Sequence, residues 1–383
     1  MAIDAGAGAF TFGGTDNLHL LNWVGRPSGA VHTLINNSTN VAALTPWIEF
    51  TSGGGATWTM EFGGTGNWEC DTYIVDYDGP SRLIRIDGPG KVIWNPVGFL
   101  GASGIASPIN IKGGKLVLLN PHPRLNTQAI TLNGNFTFAM TNPAAAQTLS
   151  GIISGTGTLL VNGGRLTFAG TNTYTGATTI SNGMLATVQV GGDMNVCGGT
   201  LAAGGLGAVG NLQVNGNLNL TSGFTQVTLN TSLAQSNSTI AVFGSINYLG
   251  GSLKVVNIGP TLVVGQTFQI FNQSVPAAAS MPIVASGYTF ANHLAVDGSI
   301  AVTTVLPPPP AFKNPTFDGV NIIITATNNT GNADTYSLLA TNNLAAPIAT
   351  WPVIRTDSFD STGDFSITNP VGTNHLFFIL RVP

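Results

Sequence analysis

Charge is what this chain has least of. Lys and Arg number 12, Asp and Glu 16, and together they make up 7% of 383 residues, against about 25% in ordinary soluble proteins. Disorder driven by charge needs the opposite composition, and with 43% hydrophobic residues a sizeable core can form. A net charge of −4 provides no basic footprint for nucleic acid. Cysteine is nearly absent: Cys70 and Cys197 are too few for a disulfide scaffold. The five histidines, His19, His32, His122, His293 and His375, are scattered. None has a second His or Cys at ligand spacing, so neither a metal site nor a cofactor is expected. No G-x-S-x-G elbow and no phosphate-binding loop occur. No apolar run reaches the ~18 residues of a membrane helix, so no transmembrane segment is expected. The opening "MAIDAGAGAFTFGG" lacks a basic region followed by an apolar one, and no signal peptide is read in it.

Helix signals are missing as well, since no window carries a clean 3.6-residue apolar stripe. Short alternating runs replace them, among them "ATWTMEF", "KLVLLN", "FTFAM", "TLLVNG", "RLTFAG", "LQVNG" and "LNLTSG". Many of them end in Gly or Asn. These are strands of about five residues closed by turns. One phrase returns four times: "GGKL" at 113, "GGRL" at 163, "GGTL" at 198 and "GGSL" at 250. The first two lie 50 residues apart and the last two 52, so two coils of about 25 residues fit each gap. The object expected is a right-handed parallel β-helix, an all-β solenoid over residues 1–306 with an aromatic-rich part at 1–100. Inward Leu, Ile, Val and Phe would stack on their equivalents one coil away. Outward Thr, Ser and Asn tolerate a copy of themselves about 4.8 Å away, whereas like charges would repel. Low charge is then a consequence of geometry. Cys70 and Cys197, separated by 127 residues, fall on coils about 25 Å apart, too far for a disulfide, and two free, buried thiols are expected.

The stretch "GTGTLLVNGGRLTFAGTNTYTGATTISNGMLATVQV" (155–190) resembles the autotransporter-associated β-strand repeat of passenger-type surface proteins of Gram-negative bacteria. The matching residues are Gly155, Gly157, Leu159, Gly163, Leu166, Gly170, Asn172, Tyr174, Gly176, Thr178, Thr179, Ile180, Gly183 and Leu185. Residues 211–305 resemble the segment that commonly succeeds such repeats in large secreted proteins. The resemblance implies a secreted or outer-surface protein, although the outer-membrane barrel of that family has no counterpart here.

"PPPP" at 307–310 cannot donate to a sheet and makes a stiff spacer, so a linker is placed at 307–314. Five strands come after it in "NIIITATN", "TYSLLATN", "ATWPVIRT", "DFSITNP" and "HLFFILRV", and a small β-sandwich is expected over 315–383.

Two groups of residues could carry chemistry. Trp23, Trp47, Trp68 and Trp94 are 24, 21 and 26 residues apart, close to one coil each, and could form a ladder. Turned inward they are core or cap packing; turned outward, Trp47, Trp23 and Trp94 would stack sugar rings. The densest polar cluster, "WECDTYIVDYDGPSRLIRIDG" (68–88), supplies Asp71, Asp76, Asp78, Arg82 and Arg85. Paired carboxylates near arginines suit glycosidic bond cleavage and converging oxygens suit Ca²⁺, while a solvated turn with surface ion pairs is the plain alternative. The function expected is a structural or adhesive surface that meets a polysaccharide or copies of itself, with a head-to-tail homopolymer as its assembly. The alternative is a polysaccharide-binding or polysaccharide-cleaving module that acts through 47–94.

Overall fold

A computed structural model describes residues 9–12, 18–25, 31–37, 42–50, 58–70, 74–76, 82–87, 90–94, 109–119, 121, 127–306, 311–327, 335–361, 363–370 and 377–381. Before residue 109, side chains are described at 35–37, 61–69, 85–87 and 90–93. Among these residues there is no α-helix; strands and two short 3₁₀ turns, Pro276–Ser280 and Ile348–Thr350, make up the regular structure. The chain divides into two compact units, Met1–Thr303 and Thr304–Pro383.

The first unit is built on long parallel sheets. One has seven strands, from Ala9–Phe12 through Arg82–Ile86 and Ile109–Ile111 to Ile153–Ser154. A second has fifteen, its path running from Leu18–Gly25 to Ile283–Ala285. A third joins Gln189–Val190, Asn211–Val214 and Thr239–Val242. Within these sheets strands pair in parallel with strands further along the chain, and successive paired strands form the rungs of a ladder. A rung is not a constant 25 residues. It takes 24 between Leu18 and Ala42, 16 between Thr178 and Met194, and 28 between Leu218 and Ile246.

Alternation decides which side chains face the core. Leu118, Phe138, Val161, Ile180, Val196 and Leu220 stand in register on successive rungs, and all are buried. Ile109, Ile130 and Ile153 form another such column. Each of these buried side chains contributes about 1.5–3 kcal/mol relative to its exposure to water. Thr178 occupies an inward position between Leu159 and Met194. Its hydroxyl is met there by the buried Tyr174 hydroxyl, 2.5 Å away. Burial pushes the Tyr174 phenol up to about 12, against the opposing pull of that hydrogen bond.

The repeated glycine phrase is a bend in the ladder. "GGRL", "GGTL" and "GGSL" stack, since Arg165, Met184, Thr200, Phe224 and Ser252 are in register. "GGKL" is not their equivalent, because Lys115 pairs with Lys91 and Asn135 at a different corner. The stacked corner needs glycine for two reasons. Gly223 has φ +81, and a Cβ there would lie 2.2 Å from the Gly199 carbonyl oxygen of the rung before; neither is compatible with a side chain.

Parallel pairing does not continue to residue 306. In a three-stranded sheet near the end of the unit, Thr267–Gln269, which precedes Ile283–Ala285, runs antiparallel to Ser299–Val305. Nor is Cys197 buried: it is free and exposed. It comes directly after the inward Val196, so alternation along the strand turns its side chain to solvent. Cys70 lies in Trp68–Cys70 and its side chain is outside the described set.

The second unit has two antiparallel sheets. Asn321–Thr327 lies among Ala311–Phe312, Thr316–Phe317 and Asp364–Pro370. Thr335–Thr341 lies between Val353–Ser358 and Phe377–Arg381. Alternate residues of both sheets meet in one core: Ile324, Ala326, Phe365 and Ile367 from the first, Tyr336 and Leu338 from the second, with Phe359. Tyr336 stacks on Phe365 at 4.3 Å between ring centres.

Candidate functional site

The tryptophans do not share a column. Trp68 is in register with Ala42 and Val92, Trp94 with Cys70 and Leu118, and Trp23 with Ile48. Coil-like spacing is therefore not equivalence, because a rung's length varies. Trp68 is buried, with its indole N–H donated to the Gly63 carbonyl at 3.1 Å. Trp47 lies in Ala42–Phe50; the side chains of Trp23, Trp47 and Trp94 are outside the described set.

Of the polar cluster, Asp71 and Asp78 lie outside the described residues. Asp76 ends the strand Ile74–Asp76, in register with Phe50. Arg82 opens Arg82–Ile86, in register with Trp58. Their side chains are not described. Arg85 is described, and its partner comes from outside the cluster. Its Nη1 donates to Glu61 Oε2 at 2.9 Å, one rung earlier and in register. Lys112 Nζ likewise donates to Asp87 Oδ2 at 2.6 Å. Among the described residues no group of three or more His, Cys, Asp or Glu could hold a metal ion.

The sequence reading passed over Glu61, Lys91, Lys112 and Lys115. The signal was present: Glu61 and Arg85, and Lys91 and Lys115, are each 24 residues apart, and Asp87 and Lys112 are 25 apart. Lys91 and Lys115 stand in register on adjacent rungs, against the expectation that like charges do not stack.

Further along the same sheet one column of outward positions is neutral. Thr179, Asn195, Asn219 and Asn247 are in register on successive rungs. Asn195 donates to Thr179 Oγ1 at 3.3 Å, Asn219 to Asn195 Oδ1 at 2.7 Å, and Asn247 to Asn219 Oδ1 at 2.8 Å. Beside this run, Asp193 Oδ1 accepts from the Asn217 backbone N–H at 2.7 Å, and Asn217 Oδ1 accepts from the Ser245 N–H at 2.9 Å. An amide offers both a donor and an acceptor, so a stacked row satisfies itself and still leaves N–H and C=O valences facing outward.

The residues that carry the repeat-like phrase serve the backbone. Asn172 is buried, accepts from the Ile153 N–H at 3.0 Å and donates to the Gly170 carbonyl at 3.2 Å. Gly155 adopts φ +107 beside the Leu132 carbonyl. Among the described residues, no helix is long and apolar enough to cross a membrane. No family model matches the chain, and no curated protein and no solved structure matches it.

Proposed function

We propose that this chain is a structural or adhesive protein of the cell exterior. In this reading the first unit is a right-handed parallel β-helix of the passenger type and the second a small β-sandwich. The observation that carries it is the in-register amide row of Thr179, Asn195, Asn219 and Asn247. Such a surface is solvated without charge and repeats at the strand spacing of about 4.8 Å, which suits a lattice-like contact with a polymer or with another copy. Twelve strands on the main path correspond to a stack roughly 55 Å long at that spacing. The end rung of a parallel stack offers a row of backbone N–H and C=O groups. Head-to-tail contact between copies would use that row and would produce filaments rather than closed dimers. Negative-stain images and sedimentation of the full chain provide the test. Rods that lengthen as concentration rises support the proposal. Short rods at every concentration remove the filament, and round particles remove the β-helix as well. A second reading, polysaccharide binding, is favoured by the charged rungs around Arg85 and Lys115.

A further inference from the structure

The charged rungs contain two lysines whose charge nothing in the described set answers. Arg85 has Glu61 and Lys112 has Asp87. Lys91 and Lys115 make no ion pair and no side-chain hydrogen bond with a described residue, although they are in register one rung apart. Glu69 stands in the adjacent column, in register with Ile93, and does not bridge to either lysine. Like charges directly opposite each other in a sheet destabilise it. This pair occurs in a chain with 12 cationic residues among 383, where the rungs beyond carry Asn135 and Thr158 in the same column. An anion between the two ammonium groups would reverse the sign of that interaction.

The same two rungs hold a second, independent mark. Arg85 Nε and Asn110 Oδ1 are buried and without hydrogen-bond partners, and the two residues are in register. One is a donor and the other an acceptor. Both atoms are closed to solvent, so they mark unsatisfied polarity beneath the charged face and not a contact for a ligand. Two ammonium groups one strand spacing apart on a surface with little other charge suit a polymer that carries anionic groups at intervals, as an acidic polysaccharide does.

We propose that the rungs containing Arg82–Ile86 with Lys91–Trp94, and Ile109–Ile111 with Lys115–Leu118, bind an acidic polysaccharide whose carboxylate or sulfate groups bridge Lys91 and Lys115. The inference rests on the reading of the first unit as a stacked surface that meets polymers. The probes are polygalacturonate, dextran sulfate and neutral dextran, each cast into a native gel with the full chain. The proteins compared are the unaltered chain, the double variant Lys91→Gln/Lys115→Gln, and Lys254→Gln as a control at an exposed lysine elsewhere. The expected result is retardation by at least one acidic glycan, none by dextran, and loss of roughly tenfold in affinity in the double variant. Lys254→Gln should stay within about twofold, and retardation should weaken from about 50 to about 300 mM salt. Retardation by polygalacturonate alone assigns carboxylate, and by dextran sulfate alone, sulfate. Equal binding by the double variant, an equal loss in Lys254→Gln, or no retardation by either acidic glycan overturns the site. Rods without retardation overturn the site alone, whereas round particles overturn the stacked-surface reading beneath it.

Discussion

Two stretches of the parallel sheets in the first unit solve the same problem differently. Around residues 61–115, adjacent rungs carry Glu61 opposite Arg85 and Lys112 beside Asp87. Around residues 179–247 a column of outward positions in the fifteen-stranded sheet carries Thr and Asn, each hydrogen-bonded to the next. A parallel in-register sheet places every outward side chain beside the one a full circuit later. A charge is therefore best placed where the next rung answers it, as Arg85 answers Glu61. An amide can be succeeded by another amide without limit. The neutral stretch is thus suited to extension and the charged stretch to a local event, and Lys91 over Lys115 is the place where the charged stretch is left unanswered.

The sharpest way to break the comparison is to attack what both stretches depend on, close backbone stacking. Gly223→Val puts a β-branched side chain at φ +81 and 2.2 Å from the neighbouring carbonyl oxygen. A loss above about 4 kcal/mol is expected, read as a collapse of the urea midpoint or as insoluble expression; a variant within about 1 kcal/mol of the parent would show that the rungs slide apart freely.

The next largest effect is alkaline. Tyr174 is neutral and buried in the fold, with its phenol raised from 10.0 to about 12. The folded state therefore holds its proton where the unfolded chain has lost it. The stabilisation is complete below pH 10 and disappears as pH rises towards 12, a change of about 3 kcal/mol. Denaturant midpoints should be level from pH 7 to 9 and fall between about pH 10 and 12. Tyr174→Phe should flatten that fall while starting from a lower midpoint, since Thr178 loses its partner. An undiminished fall in Tyr174→Phe would assign the alkaline loss to other groups.

The smallest effects separate the two stretches themselves. Asn219→Asp keeps an acceptor for Asn247 but removes the donor to Asn195 and faces its amide oxygen with a carboxylate. The expected cost is about 1–2 kcal/mol near neutral pH, recovered as the carboxyl is protonated below about pH 4. Glu61→Gln, at a pair with side chains 27% and 16% exposed, should cost less than about 1 kcal/mol, with a difference that shrinks in high salt. If Glu61→Gln proves the costlier of the two, the charged rungs are structural and the contrast between the stretches is lost.

Much of the fold was legible residue by residue. "TLLVNGGRLTF" reads as an alternating strand interrupted by glycine, and Thr158–Phe168 is one long strand with a register shift at that interruption. The five runs after the prolines are strands as well. What could not be read was equivalence between rungs. "GGKL" looks like "GGRL" but sits at another corner. Trp68 and Trp94 lie one coil apart in number and in different columns. Each error has one cause. The number of residues spent in loops between strands differs from rung to rung, and no local pattern records it.

The sequence by itself determined that the chain is made of strands with apolar side chains alternating toward a core, and that its surface avoids charge. Those properties arise from side-chain alternation and from what a stacked position tolerates, and both are written locally. Only the tertiary structure decided which residues share a column: Glu61 with Arg85, Lys91 with Lys115, Asn195 with Asn219 and Asn247. Register is set by the hydrogen bonding of whole strands against one another, so it is a property of the assembled sheet and not of any segment within it.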